Sequence, residues 1–359
     1  MRTWLGYTIT RFFKRSMLPD LVYFYPEGHA GHFAAGHPER PERVEAIRQA
    51  LEAAGWWSAY PHLAPLPLAQ DELALAHQPA YLEILHQACL RDAWLDGDTY
   101  TTPASWQLAL NAAGGAVAVA QSVWSGQSRR GLALTRPPGH HATARRGMGF
   151  CLLNNIALAA AHLIASPAGA QRLAIVDLDL HHGNGSQDIF WLRGDVLYIS
   201  THQWPLYPGT GALEETGAGP GEGLTANFPL PPFTGDQGFQ TVMGTLILPL
   251  IDRFKPQMLL VSVGFDTHWR DPLGSLSLSA RGYGDLIDSL VQWADQNCAG
   301  KIALFLEGGY DLDAAKACVS AAVAALLDLP WHDPLGAAPY KENSAWRSVV
   351  QAARQIWEL

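Results

Sequence analysis

Residues 171–185, QRLAIVDLDLHHGNG, decide the architecture. An apolar run from Leu173 to Val176 ends in Asp177, Asp179 and His181 at every second position, with His182 immediately behind. A strand projects alternate side chains to one face, so these three are expected to stand together at the end of a buried strand. Two carboxylates beside an imidazole suit a divalent metal. The alternative is a buried strand closing in a polar turn, which leaves uncompensated carboxylates in apolar surroundings at considerable cost.

Three further apolar runs end in the same manner. GLALT (131–135) leads into RPPGHH, which sets His140 and His141 side by side in a loop. MLLVSVGFD (258–266) ends in Asp266, and KIALFLEGGY (301–310) ends in Glu307, two glycines and Tyr310. Adjacent histidines on extended backbone point apart, so a turn must bring them round, with Pro137 and Pro138 for stiffness and Gly139 for freedom. Taken singly, a histidine pair reads as surface loop, an Asp after a strand as the N-cap of the next helix, and GGY as a turn. Taken together they share a geometric reason, because ligands of open α/β sheets gather outside the carboxyl ends of the strands.

Apolar, β-rich runs at 21–25, 131–135, 172–179, 195–200, 224–228, 257–264 and 301–306 lack the polar alternation of a sheet with one wet face. Between them lie helix-like segments: PERPERVEAIRQALEAAG closing at Gly55, PASWQLALNAAGGAVAVAQSVW, NNIALAAAHLIA, DQGFQTVMGTLILPLIDRF, SARGYGDLIDSLVQWADQ and AAKACVSAAVAALLD. This alternation predicts an α/β protein with a mostly parallel sheet and helices on both faces. The Pro- and Gly-rich stretches at 204–223 and 229–235 are short and read as loops. A single catalytic domain over 21–359 is expected, preceded by an N-terminal extension over 1–20.

With 359 residues, 48% of them hydrophobic, the chain can bury a large core. Cys89, Cys151, Cys298 and Cys318 have no CxxC spacing, so neither a thiolate zinc site nor a disulfide framework is indicated, and a reducing cytoplasm fits. The first nineteen residues carry Arg2, Arg11, Lys14 and Arg15 among aromatics and lack the pattern of a signal peptide. A net charge of −9 disfavours a nucleic-acid partner and is compatible with a cationic or neutral substrate. No segment is long and apolar enough to suggest a membrane span.

The motifs RPPGHHA (136–142), GFCLLNN (149–155), DLDLHHGNG (177–185), YPGTG (207–211), GFD (264–266) and EGGY (307–310) resemble the zinc-dependent histone deacetylase family, including its bacterial deacetylase-like and acetylpolyamine amidohydrolase members. RPPGHH and Asn184 are more similar to the class II branch. The resemblance runs from residue 21 to residue 327 and implies the arginase-deacetylase fold, with a sheet of about eight strands.

Asp179, His181 and Asp266 would be three ligands of one zinc or iron(II) ion, leaving a position for water and a substrate carbonyl. Such a metal polarises an amide carbonyl and lowers the pKa of its water toward roughly 7. The resemblance makes His141 the general base and acid and His140 an electrostatic partner, with Asp177 fixing His140 and Asn184 fixing His141. Tyr310 would donate its hydroxyl to the oxyanion. A potassium ion is implied at the Asp177 carboxylate and the backbone oxygens of Asp179 and His181, with Ser200 and Thr201.

The resemblance also shapes the substrate. Phe150 and Tyr207 match two aromatic walls of a narrow tube that would sandwich a lysine-like stem, and Gly149 would offer its carbonyl to the substrate amide. Leu273, in DPLGS, stands where some relatives carry a glutamate gatekeeper, which favours acyl-lysine over acetylated polyamines; Asp98 or Glu27 could still supply a carboxylate at the mouth. A binuclear manganese ureohydrolase needs further oxygen ligands, yet Gly183 and His268 follow where these would be placed. A silent acetyl-lysine reader would need no proton shuttle. His29, His32 and His37, in GHAGHFAAGHPER, are expected in a loop at the rim, and the oligomeric state is open.

Overall fold

The apolar runs pair into one sheet of eight strands in which every neighbouring pair is parallel. The computed structural model describes residues 18–359, so the extension expected over 1–20 lies outside the described residues except for Leu18, Pro19 and Asp20. The strands are β1 (Leu21–Phe24), β2 (His62–Leu63), β3 (Arg130–Ala133), β4 (Leu173–Asp177), β5 (Val196–Gln203), β6 (Thr225–Leu230), β7 (Leu259–Val263) and β8 (Ile302–Leu306). Their spatial order is β2-β1-β3-β8-β7-β4-β5-β6. The sequence runs anticipate all but β2, an edge strand of two residues, too short to carry a periodic signal.

Helices α1 (Glu42–Ala53), α2 (Gln70–Leu73), α3 (Pro79–Leu90), α4 (Ser105–Trp124), α5 (Asn155–Ala165), α6 (Asn184–Phe190), α7 (Asp236–Val242), α8 (Leu248–Phe254), α9 (Ala280–Asn297), α10 (Leu312–Leu327) and α11 (Trp346–Trp357) complete the fold. The segment read as one helix over 236–254 is broken by a π turn at Met243–Ile247. Three helices, α2 to α4, lie between β2 and β3, β5 and β6 are joined without an α-helix, and α10 and α11 follow the last strand. Three helix starts follow from local chemistry: side-chain oxygens of Asn154, Ser279 and Asp311 accept the N–H of Ala157, Gly282 and Ala314 at 3.0, 2.9 and 2.8 Å. Each such cap is worth about 1 kcal/mol.

The strands lack polar alternation because both faces of the sheet are covered. Along β4, Ala174 and Val176 enter one core while Leu173 and Ile175 enter the other. The first core is closed by α1, α7, α9, α10 and α11, the second by α3, α4 and α5. On the second side α4 lies close upon β1: a Cβ at Gly115 would fall 2.3 Å from the Phe24 ring.

This topology places the chemistry. The four strands that end in polar motifs, β3, β8, β7 and β4, are consecutive neighbours in the middle of the sheet. Parallel pairing puts their carboxyl ends at one edge, where the loops converge.

Candidate active site

Strand β4 stops at Asp177, so the alternation read through His181 extends past the sheet. Asp177, Asp179 and His181 therefore do not share one strand face, which corrects the expectation. Asp177 turns to His140, while Asp179 and His181 meet Asp266 from the end of β7. The ligand atoms of Asp179, His181 and Asp266 all lie within 4.8 Å of one another. His181 Nδ1 is 3.2 Å from Asp179 Oδ1 and 3.4 Å from Asp266 Oδ2.

The residues fit a metal. Asp266 Oδ2 is buried and has no hydrogen-bond partner, whereas Oδ1 accepts the Leu180 N–H at 3.0 Å. Burial, with Asp179 alongside, raises the Asp266 pKa. At Asp179 the same burial is outweighed by His140 and by the contacts from His181, and its pKa is lowered. Two buried carboxylates this close are costly unless a cation joins them, and an O, N, O donor set with room for further ligands is that of a catalytic zinc-type site. Bare backbone makes the convergence sterically feasible: a Cβ at Gly308 would lie 2.1 Å from Asp266 Oδ2, and one at Gly264 would lie 1.9 Å from Asp179 Oδ2.

The RPPGHH turn brings both imidazoles to this point. Glu307, the residue after β8, accepts the N–H of Gly139 at 2.6 Å and of His140 at 3.0 Å. His140 Nδ1 then contacts Asp177 Oδ2 at 3.0 Å, His141 Nδ1 contacts Asn184 Oδ1 at 2.8 Å, and the rings are 4.0 Å apart. Burial disfavours the charge on His140, but Asp179 and Asp177 overcome it and carry the pKa to about 10. Burial, then the neighbouring His140 and His181, hold His141 well below the usual histidine range. The adjacent imidazoles are thus shifted in opposite directions.

Above them opens a cavity of about 200 Å³. Gly149, Phe150, Tyr207 and Leu273 all line it, together with His140, His141, His181 and Tyr310. Tyr207 stands edge-on to His141 at 5.2 Å and is 37% exposed, which puts it at the mouth; the Phe150 ring meets Tyr310 edge-on at 5.9 Å. Of the two carboxylates considered for the mouth, Asp98 lines the cavity and Glu27 does not. A larger hollow of about 490 Å³ beside α9 and α10 contains none of these groups. Ser200 is the register partner of Asp177 on β5, and the Thr201 hydroxyl contacts the Asp177 carbonyl at 3.4 Å.

The chain matches the histone deacetylase domain over residues 37–326. It belongs to the histone deacetylase family. A probable deacetylase of Archaeoglobus fulgidus is 40% identical over 296 residues, covering 82% of each chain. The histone deacetylase-like amidohydrolase of Pseudomonas aeruginosa is 35% identical, covering 77% of this chain and 73% of that one. The crystal structure of the HDA15 HD domain is similar with a TM-score of 0.85 at 33% identity, covering 94% of this chain and 95% of the other. The arginase-deacetylase fold is therefore the fold of this chain, and as a member of this deacetylase family it is a hydrolase.

In this histone deacetylase family member, the loop expected at the rim is exposed along much of its length, Phe33 at 51%, while the side chains of His29 and His32 are buried beneath it. His32 is buried, stacks on Tyr100 at 4.2 Å and contacts Ser105 Oγ at 2.6 Å. His37 reaches the Asp98 carbonyl at 3.0 Å and packs edge-on against Phe150 at 4.6 Å. Beneath the loop Glu39, buried completely, accepts from Arg136 Nε at 2.8 Å and from Arg43 at 3.1 Å, and Arg136 also donates to the carbonyls of His29 and His32. Among the described residues, the Asp179–His181–Asp266 group is the one set of His, Cys, Asp and Glu with metal-ligand spacing.

The sequence reading leaves Glu307, Arg43, Glu39 and Arg136 without roles. Arg43 donates to the carbonyls of Glu307 and Gly309, the latter at 2.6 Å, and its guanidinium sits 4.7 Å from the centroid of the Tyr310 ring. Burial raises the Tyr310 pKa well above that of a free phenol although Arg43 opposes it, so the hydroxyl keeps its proton for donation. The available signal was an arginine next to Val44 on the buried stripe of α1. It marks a buried cation without saying which backbone it holds.

Proposed function

We propose that the protein is a zinc- or iron(II)-dependent deacetylase that removes acetyl groups from the side-chain amine of acyl-lysine. One observation carries this reading: His140, His141 and Tyr310 line a single cavity together with His181, which belongs to the Asp179–His181–Asp266 group. A divalent cation held by that group supplies Lewis acidity to the amide carbonyl and to the attacking water.

His141, neutral and oriented by Asn184, takes the proton from water and returns it to the departing amine. His140, charged and paired with Asp177, stays protonated and stabilises developing negative charge. Tyr310 donates its hydroxyl to the oxyanion, a contact of about 3 to 4 kcal/mol. Phe150 and Tyr207 flank the aliphatic stem, Leu273 adds an apolar wall, and the Gly149 carbonyl accepts the substrate N–H. Asp177, Ser200 and Thr201, with the backbone oxygens of Asp179 and His181, would hold a potassium ion, which would add a positive charge next to the His140–Asp177 pair.

Asp98 favours a second reading, since a carboxylate at the mouth would pair with the distal ammonium of an acetylated polyamine. Turnover of acetyl-lysine peptides and of N-acetylputrescine by the metal-replete protein, with a hydroxamate chelator as control, separates the two. Faster hydrolysis of the peptide supports acyl-lysine; preference for N-acetylputrescine reverses the assignment. Hydroxamate binding without hydrolysis of either would leave an acetyl-lysine-binding module.

A further inference from the structure

Asp271 lies on the loop after β7 and is 6% exposed. Its Oδ2 accepts the backbone N–H of Tyr310 at 2.6 Å and of Asp311 at 3.1 Å, and its Oδ1 accepts the N–H of Leu273 at 3.0 Å. Both Tyr310 and Leu273 line the cavity, whereas Asp271 does not. One carboxylate therefore joins the loop that carries the hydroxyl donor to the loop that carries an apolar wall.

We infer that Asp271 is a positioning residue for the deacetylation reaction, fixing Tyr310 against Leu273 across the cavity. The inference rests on the proposed deacetylase function and adds a residue that touches neither metal group nor substrate. Gly309, with φ of 116°, takes a conformation that favours glycine, and the N–H that follows it, that of Tyr310, is received by Asp271. Arg43 holds the carbonyls of the same turn, so the segment is gripped from both sides. A carboxylate suits the place because all its oxygen lone pairs accept. An asparagine has one accepting oxygen and would aim an N–H₂ group at a backbone N–H, losing either the Tyr310 and Asp311 contacts or that of Leu273.

The test uses the metal-loaded protein and a double-mutant cycle on an acetyl-lysine peptide. Asp271→Asn is expected to lower kcat about 100-fold, the scale of a small misplacement of a reacting group, with metal content unchanged. In a Tyr310→Phe background the same substitution is expected to cost less than about 3-fold, because the hydroxyl it positions is already gone. Equal losses in both backgrounds would overturn the inference.

Hydrogen exchange across residues 307–312 gives a readout independent of turnover. Asp271→Asn should exchange faster there than the parent, and unchanged protection would overturn the inference even if the parent showed no deacetylase activity. Absence of turnover in the parent alone would instead overturn the proposed function. Should Asp271→Asn not fold, Asp271→Glu, which keeps the charge and moves it by one methylene, is read by the same two measurements with the same expected outcomes.

Discussion

Nδ1 of His141 is held by the amide oxygen of Asn184 at 2.8 Å, a neutral partner where the adjacent His140 has the Asp177 carboxylate. An amide orients an imidazole and stabilises its cation less than a carboxylate does, so burial and the neighbouring His140 and His181 still hold the His141 pKa down. Asn184→Asp should raise the His141 pKa and move the acidic limb of the kcat/KM profile to higher pH. A profile that coincides with the parent's would remove His141 from the role of base.

Tyr310→Phe deletes a hydroxyl and leaves the ring packed against Phe150 and under Arg43. Turnover is expected to fall about 10²- to 10³-fold with metal content unchanged, measured by steady-state kinetics and elemental analysis of the same sample. Parental turnover would exclude the oxyanion role.

Asp266 Oδ2 gains a partner when an ion is bound, and unfolded chain does not offer the three ligands together. Chelation should therefore abolish turnover and lower Tm, and added zinc should restore both, by about 4 kcal/mol at a thousandfold excess over Kd. In Asp266→Ala, zinc should no longer move Tm. A zinc-dependent Tm in that variant would place the ion elsewhere.

Glu39 carries two buried arginine contacts. Glu39→Gln leaves Arg43 and Arg136 short of their counter-charge, and breaking a buried pair costs about 3 to 5 kcal/mol. Urea unfolding of the two proteins measures it, and a difference under 1 kcal/mol would show that the pair contributes little.

Two sets of buried groups make the fold less stable in acid. His32, His77, His182 and His268 are held to about 4 by burial, against 6.5 when exposed, so the unfolded chain binds more protons between those values and stability falls as pH drops through this window. Burial pushes the Glu39 pKa up, but Arg136 and Arg43 prevail and lower it to about 2; its contribution is complete above 4.5 and is lost as pH falls toward 2. Burial raises Glu307 and Asp271 to about 7, and their proton uptake in the folded chain works in the opposite sense between pH 7 and 4. The histidine contribution is therefore read by substitution: in His77→Gln the denaturation midpoint should fall less, or rise more, from pH 7 to 4 than in the parent, and an equal change would contradict the buried neutral His77.

The sheet and the ingredients of the site were legible because both rest on local signals. Strands buried on two faces read as apolar runs, and their ends are marked by residues that apolar runs do not otherwise contain, such as Asp266 and Glu307. What stayed hidden depends on pairing across the chain. No local pattern indicates that β4 ends at Asp177, since Leu178 and Leu180 continue the apolar alternation. Likewise Glu39 shows that a carboxylate is present, but only the folded chain brings Arg136 to it and buries His29 and His32. Arg43 and Asp271 act on backbone groups of residues 307–311, and backbone partners leave no mark in side-chain identities.

The adjacency of β3, β8, β7 and β4 makes the backbone ladder a ruler. Strands in a sheet repeat at roughly 4.8 Å, and a slip of one residue turns every side chain to the opposite face. A shifted register between β4 and β7 would carry Asp266 away from Asp179 and His181 however well the loops were made. Precision in the grip on an ion is thus inherited from main-chain pairing deep in the molecule, and substitutions remote from the cavity that loosen this pairing would register first as weakened metal affinity.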